Sequence, residues 1–286
     1  MPKTQANSGD HSMVRRIHEA YAGLSDGERL IADAILDSPA ELAVLSGSEL
    51  AGLAQVSNAT VSRFFRRLGY ASFDAARQDA RRMRATGSPL YTGASQKQGA
   101  DPLSVVAAQE IALIDATLSR LNPIAVKEIG AAIAEAPRIR TLGYRNSHFL
   151  AQYITAQLAQ MRPGVAPLLL PGQTRSEGIA ALEEGNLAIV IGLRRRPSGF
   201  MKTIEAISAR GARIVLIADQ TIREAPAFAT WTLDCVVDTP QFADSYAGAM
   251  SVLRLLIVEA NRALSERGQK HLERVEELRE QLDELE

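Results

Sequence analysis

Residues 56–70 read VSNATVSRFFRRLGY, and their spacing decides the first part of the fold. Val61, Phe64, Phe65 and Leu68 follow the i, i+3, i+4, i+7 rule of a single helix face. Ser57 is a suitable N-cap for a helix over Asn58–Leu68, and Gly69 is placed to end it in a left-handed conformation. Just upstream, Ser46-Gly47-Ser48-Glu49 is a capping box that leads into Leu50, Ala51, Leu53 and Ala54. The turn between the two helices is Gln55-Val56-Ser57. A small residue at Ala51 lets two helices cross closely, which is the arrangement of a helix-turn-helix. Gln55 stands where such turns favour glycine, at a cost of up to about 1 kcal/mol. The plainer alternative is a helical hairpin packed on another domain.

The face opposite the apolar stripe carries Asn58, Ala59, Ser62, Arg63, Arg66 and Arg67, with Ser57 and Thr60 at the helix start. Short polar groups at the start can approach base edges, and arginines reach guanine edges or phosphates. These eight residues are the expected DNA-binding set on double-stranded operator DNA, with Arg63 reading a base and Arg67 holding a phosphate. From Asn58 to Gly87 seven arginines face two aspartates, a local charge of +5, although the whole chain carries a net charge of -1. A basic stretch of this kind is the electrostatic footprint of a nucleic-acid binder, or else a solvated helix face. The next helix, opened by Ser72, sets Arg77, Arg81 and Arg84 along one side. They either touch flanking phosphates or are simply solvated. Ser25-Asp26-Gly27-Glu28 is another capping box, and Ser38-Pro39 stops the helix that it starts.

The chain has 286 residues, 46% hydrophobic and 23% charged. At roughly 150 residues per domain, that suggests two domains. The helical block is expected over 13–87, a linker over 88–101 and a second domain over 102–286. The linker lies in TGSPLYTGASQKQGAD, which is rich in Gly, Ser, Thr and Gln and has no periodicity. Cys235 is the single cysteine, which excludes a disulfide framework or a cysteine-rich zinc module and fits a reducing cytoplasm. It lies in an apolar run and reads as core. Met1–Asp10 is polar, unlike a signal peptide. No apolar run approaches the ~20 residues of a membrane helix.

From Pro102 onward, strand-like runs alternate with helical stretches, the pattern of a parallel α/β sheet. Strands are expected at Ile139–Leu142, Val165–Leu170, Leu187–Leu193, Arg213–Ala218 and Leu233–Val237. Helices are expected at His148–Gln160, Phe200–Arg210 and Phe242–Ser265, followed by an acidic segment, Glu266–Glu286, of net charge -4. Ligands of open parallel sheets bind at the carboxyl ends of strands where strand order reverses. Two strand-to-helix loops carry groups suited to an anion: Gly143, Arg145, Asn146 and Ser147 in the first, and Arg194, Arg195, Arg196 and Ser198 in the second. Guanidinium groups gathered there repel one another unless they are solvated or neutralised, and a bound phosphate or carboxylate would neutralise them.

The block LSDGERLIADAILDSPAEL with SELAGLAQVSNATVSRFFRRLGYASF resembles the helix-turn-helix domain of RpiR-type bacterial transcriptional regulators. IRTLGYRNSHF, IVIGLRRRPSGF and ARGARIVLIAD resemble the sugar isomerase (SIS) domain that follows it in that family. The resemblance implies a five-stranded parallel sheet in an αβα sandwich, preceded by an all-α helix-turn-helix domain. It further implies a cytoplasmic regulator that dimerises and senses a phosphorylated sugar. Two departures stand out. In the family the first loop reads Gly-x-Gly-x-Ser, and here its middle glycine is Arg145. The second loop is a Ser-x-Ser-Gly-x-Thr phosphate cradle in the family, and here it is rebuilt around Arg194, Arg195 and Arg196.

The expected function is therefore a DNA-binding regulator responding to a small anionic carbohydrate-type effector, at least dimeric, with no membrane partner, catalytic residue, metal or cofactor. The apolar face of the last long helix (Ala249, Val252, Leu253, Leu256, Ile257, Ala260) is expected to serve core and dimer interface together. The alternative is an SIS-type sugar-phosphate isomerase with a helical accessory domain. Isomerisation needs a matched acid and base. Glu177, Glu183 and Glu184 read as polar helix residues, and His148 has no evident carboxylate partner in sequence.

Overall fold

A computed structural model describes residues 13–85, 101–239 and 243–284. The linker expected over 88–101, apart from Asp101, lies outside these residues, as do Met1–Asp10 and Phe242. The chain divides into two compact units, one helical and one α/β.

The helical unit comprises α1 (Met13–Ala20), α2 (Asp26–Asp37), α3 (Gly47–Leu53), α4 (Asn58–Arg67) and α5 (Phe73–Ala85). Both expected capping interactions form: the backbone N–H of Ser25 donates to Glu28 at 2.9 Å and that of Ser46 to Glu49 at 2.7 Å. The core gathers one face from each helix: Ile17, Ile31, Ile35, Leu50, Phe64 and Phe65 are all buried. Phe65 meets Phe64 and Phe73 edge-on, with ring centroids 5.2 and 5.4 Å apart.

The α/β unit runs α6 (Pro102–Leu118), α7 (Pro123–Glu135), β1 (Ile139–Gly143), α8 (Asn146–Met161), β2 (Val165–Pro167), α9 (Arg175–Ala180), β3 (Leu187–Gly192), α10 (Phe200–Ala209), β4 (Arg213–Asp219), β5 (Trp231–Cys235), α11 (Ala247–Leu264) and α12 (Glu266–Gln281). All five strands are parallel, in the order β2-β1-β3-β4-β5. Every residue of β3 is buried, as a central strand covered on both faces requires. On one face Ile189, Ile191, Val215 and Ile217 pack with residues of α7, α8 and α11; on the other Val190, Leu216, Phe200 and Ile204 pack together. The result is the expected αβα sandwich.

Most element boundaries shift by one or two residues from the sequence expectation, and the shifts in β2, β5 and α11 have local reasons. β2 ends at Pro167 rather than Leu170; one further bond, Leu168 N–H to Thr141 O at 2.8 Å, follows before the chain leaves the sheet edge. β5 begins at Trp231 and ends at Cys235, because the N–H of Val236 turns to the Thr117 hydroxyl at 3.0 Å instead of the ladder. α11 begins at Ala247, where the Ser245 hydroxyl accepts its N–H at 3.2 Å. No single described helix is long and apolar enough to cross a membrane.

Candidate DNA interface and effector site

The turn between α3 and α4 is closed by backbone bonds. Gln55 adopts φ 53°, the left-handed conformation expected of it. Its N–H donates to Gly52 O at 3.2 Å, and that of Val56 donates to Ala51 O at 2.9 Å. This pair of bonds satisfies the end of α3 and aims the chain into the next cap. Ser57 accepts the Thr60 N–H at 3.2 Å, and the two hydroxyls lie 2.9 Å apart. Ser57 and Thr60 are therefore committed to starting α4. Gly69, at φ 85°, closes the other end.

Asn58, Ala59, Ser62, Arg63 and Arg66 form the exposed face of α4. Arg67 has partners within the chain. Its guanidinium donates to Glu28 at 3.0 Å and to Gly23 O at 2.5 Å, so it braces α4 against α2 while remaining partly exposed. Burial opposes ionisation of Glu28, but the Ser25 N–H and hydroxyl together with Arg67 outweigh it and hold this carboxyl below its usual range. In α5, Arg77 and Arg81 turn back to Leu45 O and Ala43 O, at 3.5 and 2.7 Å. These arginines supported the charge count, yet their guanidiniums serve the fold.

In the α/β unit the chain leaves β1 for β2 on one side and later crosses to β3 on the other, so strand order reverses between β1 and β3. Gly143 pairs with Ile191 across that junction, which puts the loops after β1 and β3 side by side. Gly143 is packed so tightly that a Cβ there would lie 2.1 Å from Ser147 O. Ser147 is buried, and its hydroxyl accepts the Leu193 N–H at 3.4 Å, tying the two loops together. Arg145 and Arg194 each turn their loop at positive φ, 55° and 49°. A non-glycine residue held there carries backbone strain of order 1–3 kcal/mol. Arg145, Asn146, Arg195 and Ser198 are exposed.

Arg194 and Arg196 turn inward. Arg194 is buried; its backbone N–H donates to Asp219, and its guanidinium reaches Asp238 at 3.0 Å. Arg196 donates to Gly192 O at 2.8 Å and Thr221 Oγ1 at 2.7 Å, and pairs with Asp219 at 3.4 Å. Burial pulls the Arg196 pKa down, and Asp219 works against that pull. The mutual repulsion expected of these arginines is thus relieved by two aspartates of the same chain. Sequence reading missed Asp219 and Asp238. The available signal was an acidic residue at the end of the apolar run ARIVLIAD, level with an arginine-rich loop.

Of the other residues weighed, Glu177 and Cys235 have structural places. Glu177 caps α9 through the Thr174 N–H at 2.5 Å, and that bond holds its carboxyl below the usual range. His148 is exposed with its ring near Phe149. Cys235 is fully buried, and burial pushes its thiol up to about 12, so it is core as expected. Among the described residues no group of His, Cys, Asp or Glu is arranged to hold a metal.

Residues 11–80 match the helix-turn-helix domain of the rpiR family, and residues 132–259 match the SIS domain. The chain joins an RpiR-family helix-turn-helix domain to a SIS domain. A curated relative, the uncharacterized HTH-type transcriptional regulator YfhH of Escherichia coli, is 30% identical over 152 residues, 51% of this chain and 54% of its own length. The match thus spans about half of that relative. Among solved structures, the Vibrio vulnificus NanR protein complexed with ManNAc-6P aligns at TM-score 0.56 and 18% identity, covering 95% of this chain and 99% of that one. The sugar isomerase domain of an RpiR transcription factor from Sphaerobacter thermophilus aligns at TM-score 0.57 and 20% identity, over 62% of this chain and 98% of its own. At these identities the two structures establish the fold.

Proposed function

We propose that this RpiR-family chain binds double-stranded operator DNA through α4 and that its SIS domain senses a small anionic carbohydrate-type metabolite, such as a sugar phosphate. The observation that carries the DNA reading is the outer face of α4. Arg63 and Arg66 stand exposed there, their guanidiniums making no hydrogen bond or ion pair to a described residue, on a helix fixed at both ends by caps. Asn58, Ala59 and Ser62 are exposed beside them and short enough for close approach to a groove. Arg67 takes no part in this reading. The effector reading rests on Arg145 and Arg195, exposed beside the reversal point of the sheet. ManNAc-6P, with which the Vibrio vulnificus NanR protein is complexed, is an anion of the class proposed.

We further propose that two chains associate. The α11 face expected to do this is consumed by the chain's own core: Ala249, Val252, Leu253 and Leu256 are fully buried. Uncovered apolar side chains lie along α6, where Leu103, Val106 and Ile111 are 80%, 48% and 68% exposed. Apolar side chains in a row on one helix gain stability when another surface covers them. A C2 pair would present two α4 helices to an inverted repeat.

The test is a footprint on the DNA upstream of the chain's own coding sequence, repeated with added sugar phosphates, with an isomerase assay on the same compounds in parallel. A symmetric footprint that a sugar phosphate weakens or strengthens, without turnover, supports the proposal. Turnover without DNA binding supports the isomerase reading instead.

A further inference from the structure

The loop after β3 combines features that belong to an anion cradle with an occupant supplied by the chain itself. The carboxylate of Asp219 is buried at the end of β4. It accepts the backbone N–H of Arg194, the guanidinium of Arg196, and both the N–H and the hydroxyl of Thr221. Backbone amides, a hydroxyl and a guanidinium converging on one pair of oxygens are the donors that would hold a phosphate or carboxylate of a ligand. Here they close on a side chain that cannot leave, because Asp219 is paired with β5 and the preceding residues of β4 are locked in the ladder with β3 and β5. Asp238, itself exposed, takes the guanidinium of buried Arg194. Two arginines and two aspartates sum to zero charge. A dianion entering this loop would meet the Asp219 carboxylate at short range and would have to displace its hydrogen bonds.

We propose that Asp219 is a built-in counter-ion that closes the β3 loop to external anions and so decides which part of the SIS crevice takes the effector's charge. Resting on the effector reading above, the inference assigns that charge to Arg145 and Arg195, the exposed cations of the two loops. It also accounts for the arginines of the β3 loop: the guanidiniums of Arg194 and Arg196 hold the internal carboxylates, and only Arg195 between them faces solvent. Asp219 is thus a specificity-determining residue that need not touch the ligand.

The experiment uses the full-length protein and inorganic phosphate as the probe, titrated by calorimetry at low ionic strength. Asp219→Asn keeps an oxygen for the Arg194 and Thr221 donors and removes the charge. It is expected to bind phosphate at least tenfold more tightly than the wild type, and adding Arg196→Gln to it should abolish the gain. A folded Asp219→Asn protein, with its circular dichroism unchanged, that binds phosphate no better than the wild type overturns the proposal. If the Asn variant does not fold, Arg196→Gln alone decides. Its phosphate affinity should equal the wild-type value, and a tenfold loss would make Arg196 a ligand and overturn the proposal. The effector reading fails separately: Arg145→Gln/Arg195→Gln would then leave wild-type binding of sugar phosphates unchanged, whatever Asp219→Asn does.

Discussion

On the outer face of α4, Arg63 and Arg66 stand in solvent, whereas at the end of β3, Arg194 and Arg196 lie between Asp219 and Asp238. One pair lies along a helix face and the other in the loop that ends a strand, and both look like anion sites. What separates them is the neighbouring charge. The exposed face of α4 is left with its cations unneutralised, so it can exchange water and counter-ions for phosphates. The β3 loop has already made that exchange with its own carboxylates. A cationic sequence thus becomes a binding surface only where the fold leaves the charge uncompensated.

The largest effect is expected from removing the internal counter-ion outright. Asp219→Ala leaves the Arg194 backbone N–H without its acceptor and the half-buried Arg196 guanidinium with Gly192 O and Thr221 Oγ1 but no counter-charge, a loss of about 3 kcal/mol, the low end for a broken buried pair. Urea unfolding followed by circular dichroism should show that loss, and a wild-type midpoint would mean the loop tolerates its own charge. The α4 cluster should respond in the opposite sense. Arg63→Ala and Arg66→Ala should leave Tm unchanged, while each weakens operator binding by about 1–3 kcal/mol if it reads a base. A fall in Tm would show that these side chains serve the fold after all.

Arg67 sharpens the contrast because it sits on α4 yet behaves like the β3 arginines. Arg67→Ala should lower stability by about 1 kcal/mol, as expected for a partly exposed charged hydrogen bond. DNA affinity per folded molecule should stay at the wild-type value, and an altered salt slope for DNA binding would restore Arg67 to the interface. Its partner gives a pH signature. The Glu28 carboxyl is held below its usual value in the folded state, so the unfolded chain takes up that proton first as pH falls. The stability contributed by Glu28 is present at neutral pH and above, and it is lost as pH drops through the acidic range to the folded-state pKa. Arg67→Ala should shrink that acid-side loss in thermal melts taken at a series of pH values. The smallest change is Gln55→Gly, which relieves a left-handed glutamine and should raise stability by up to about 1 kcal/mol.

Periodicity and capping made the helices legible. The stripe Val61, Phe64, Phe65 and Leu68 is buried as read, and the left-handed turns at Gln55 and Gly69 sit where their residues implied. The five strands and their order along the chain followed from short apolar runs. Their exact ends did not, because these depend on partners far away in sequence, such as the Thr117 hydroxyl that takes Val236 out of the β5 ladder. The same limit governed the arginines. Which of them faces solvent is decided by Glu28 for Arg67, by Asp219 for Arg196 and by Asp238 for Arg194, and those pairs span 23 to 44 positions. Local pattern shows where a charge is placed along the chain, and only the assembled fold shows whether it is spent.

The most direct test is an equilibrium titration of operator DNA with wild-type protein and with Arg63→Ala/Arg66→Ala, at several salt concentrations. Equal Tm values should accompany an affinity loss of at least tenfold in the double variant, with a shallower salt dependence because fewer counter-ions are released. Wild-type affinity and wild-type salt slope in a folded double variant would contradict the assignment of the α4 face to DNA.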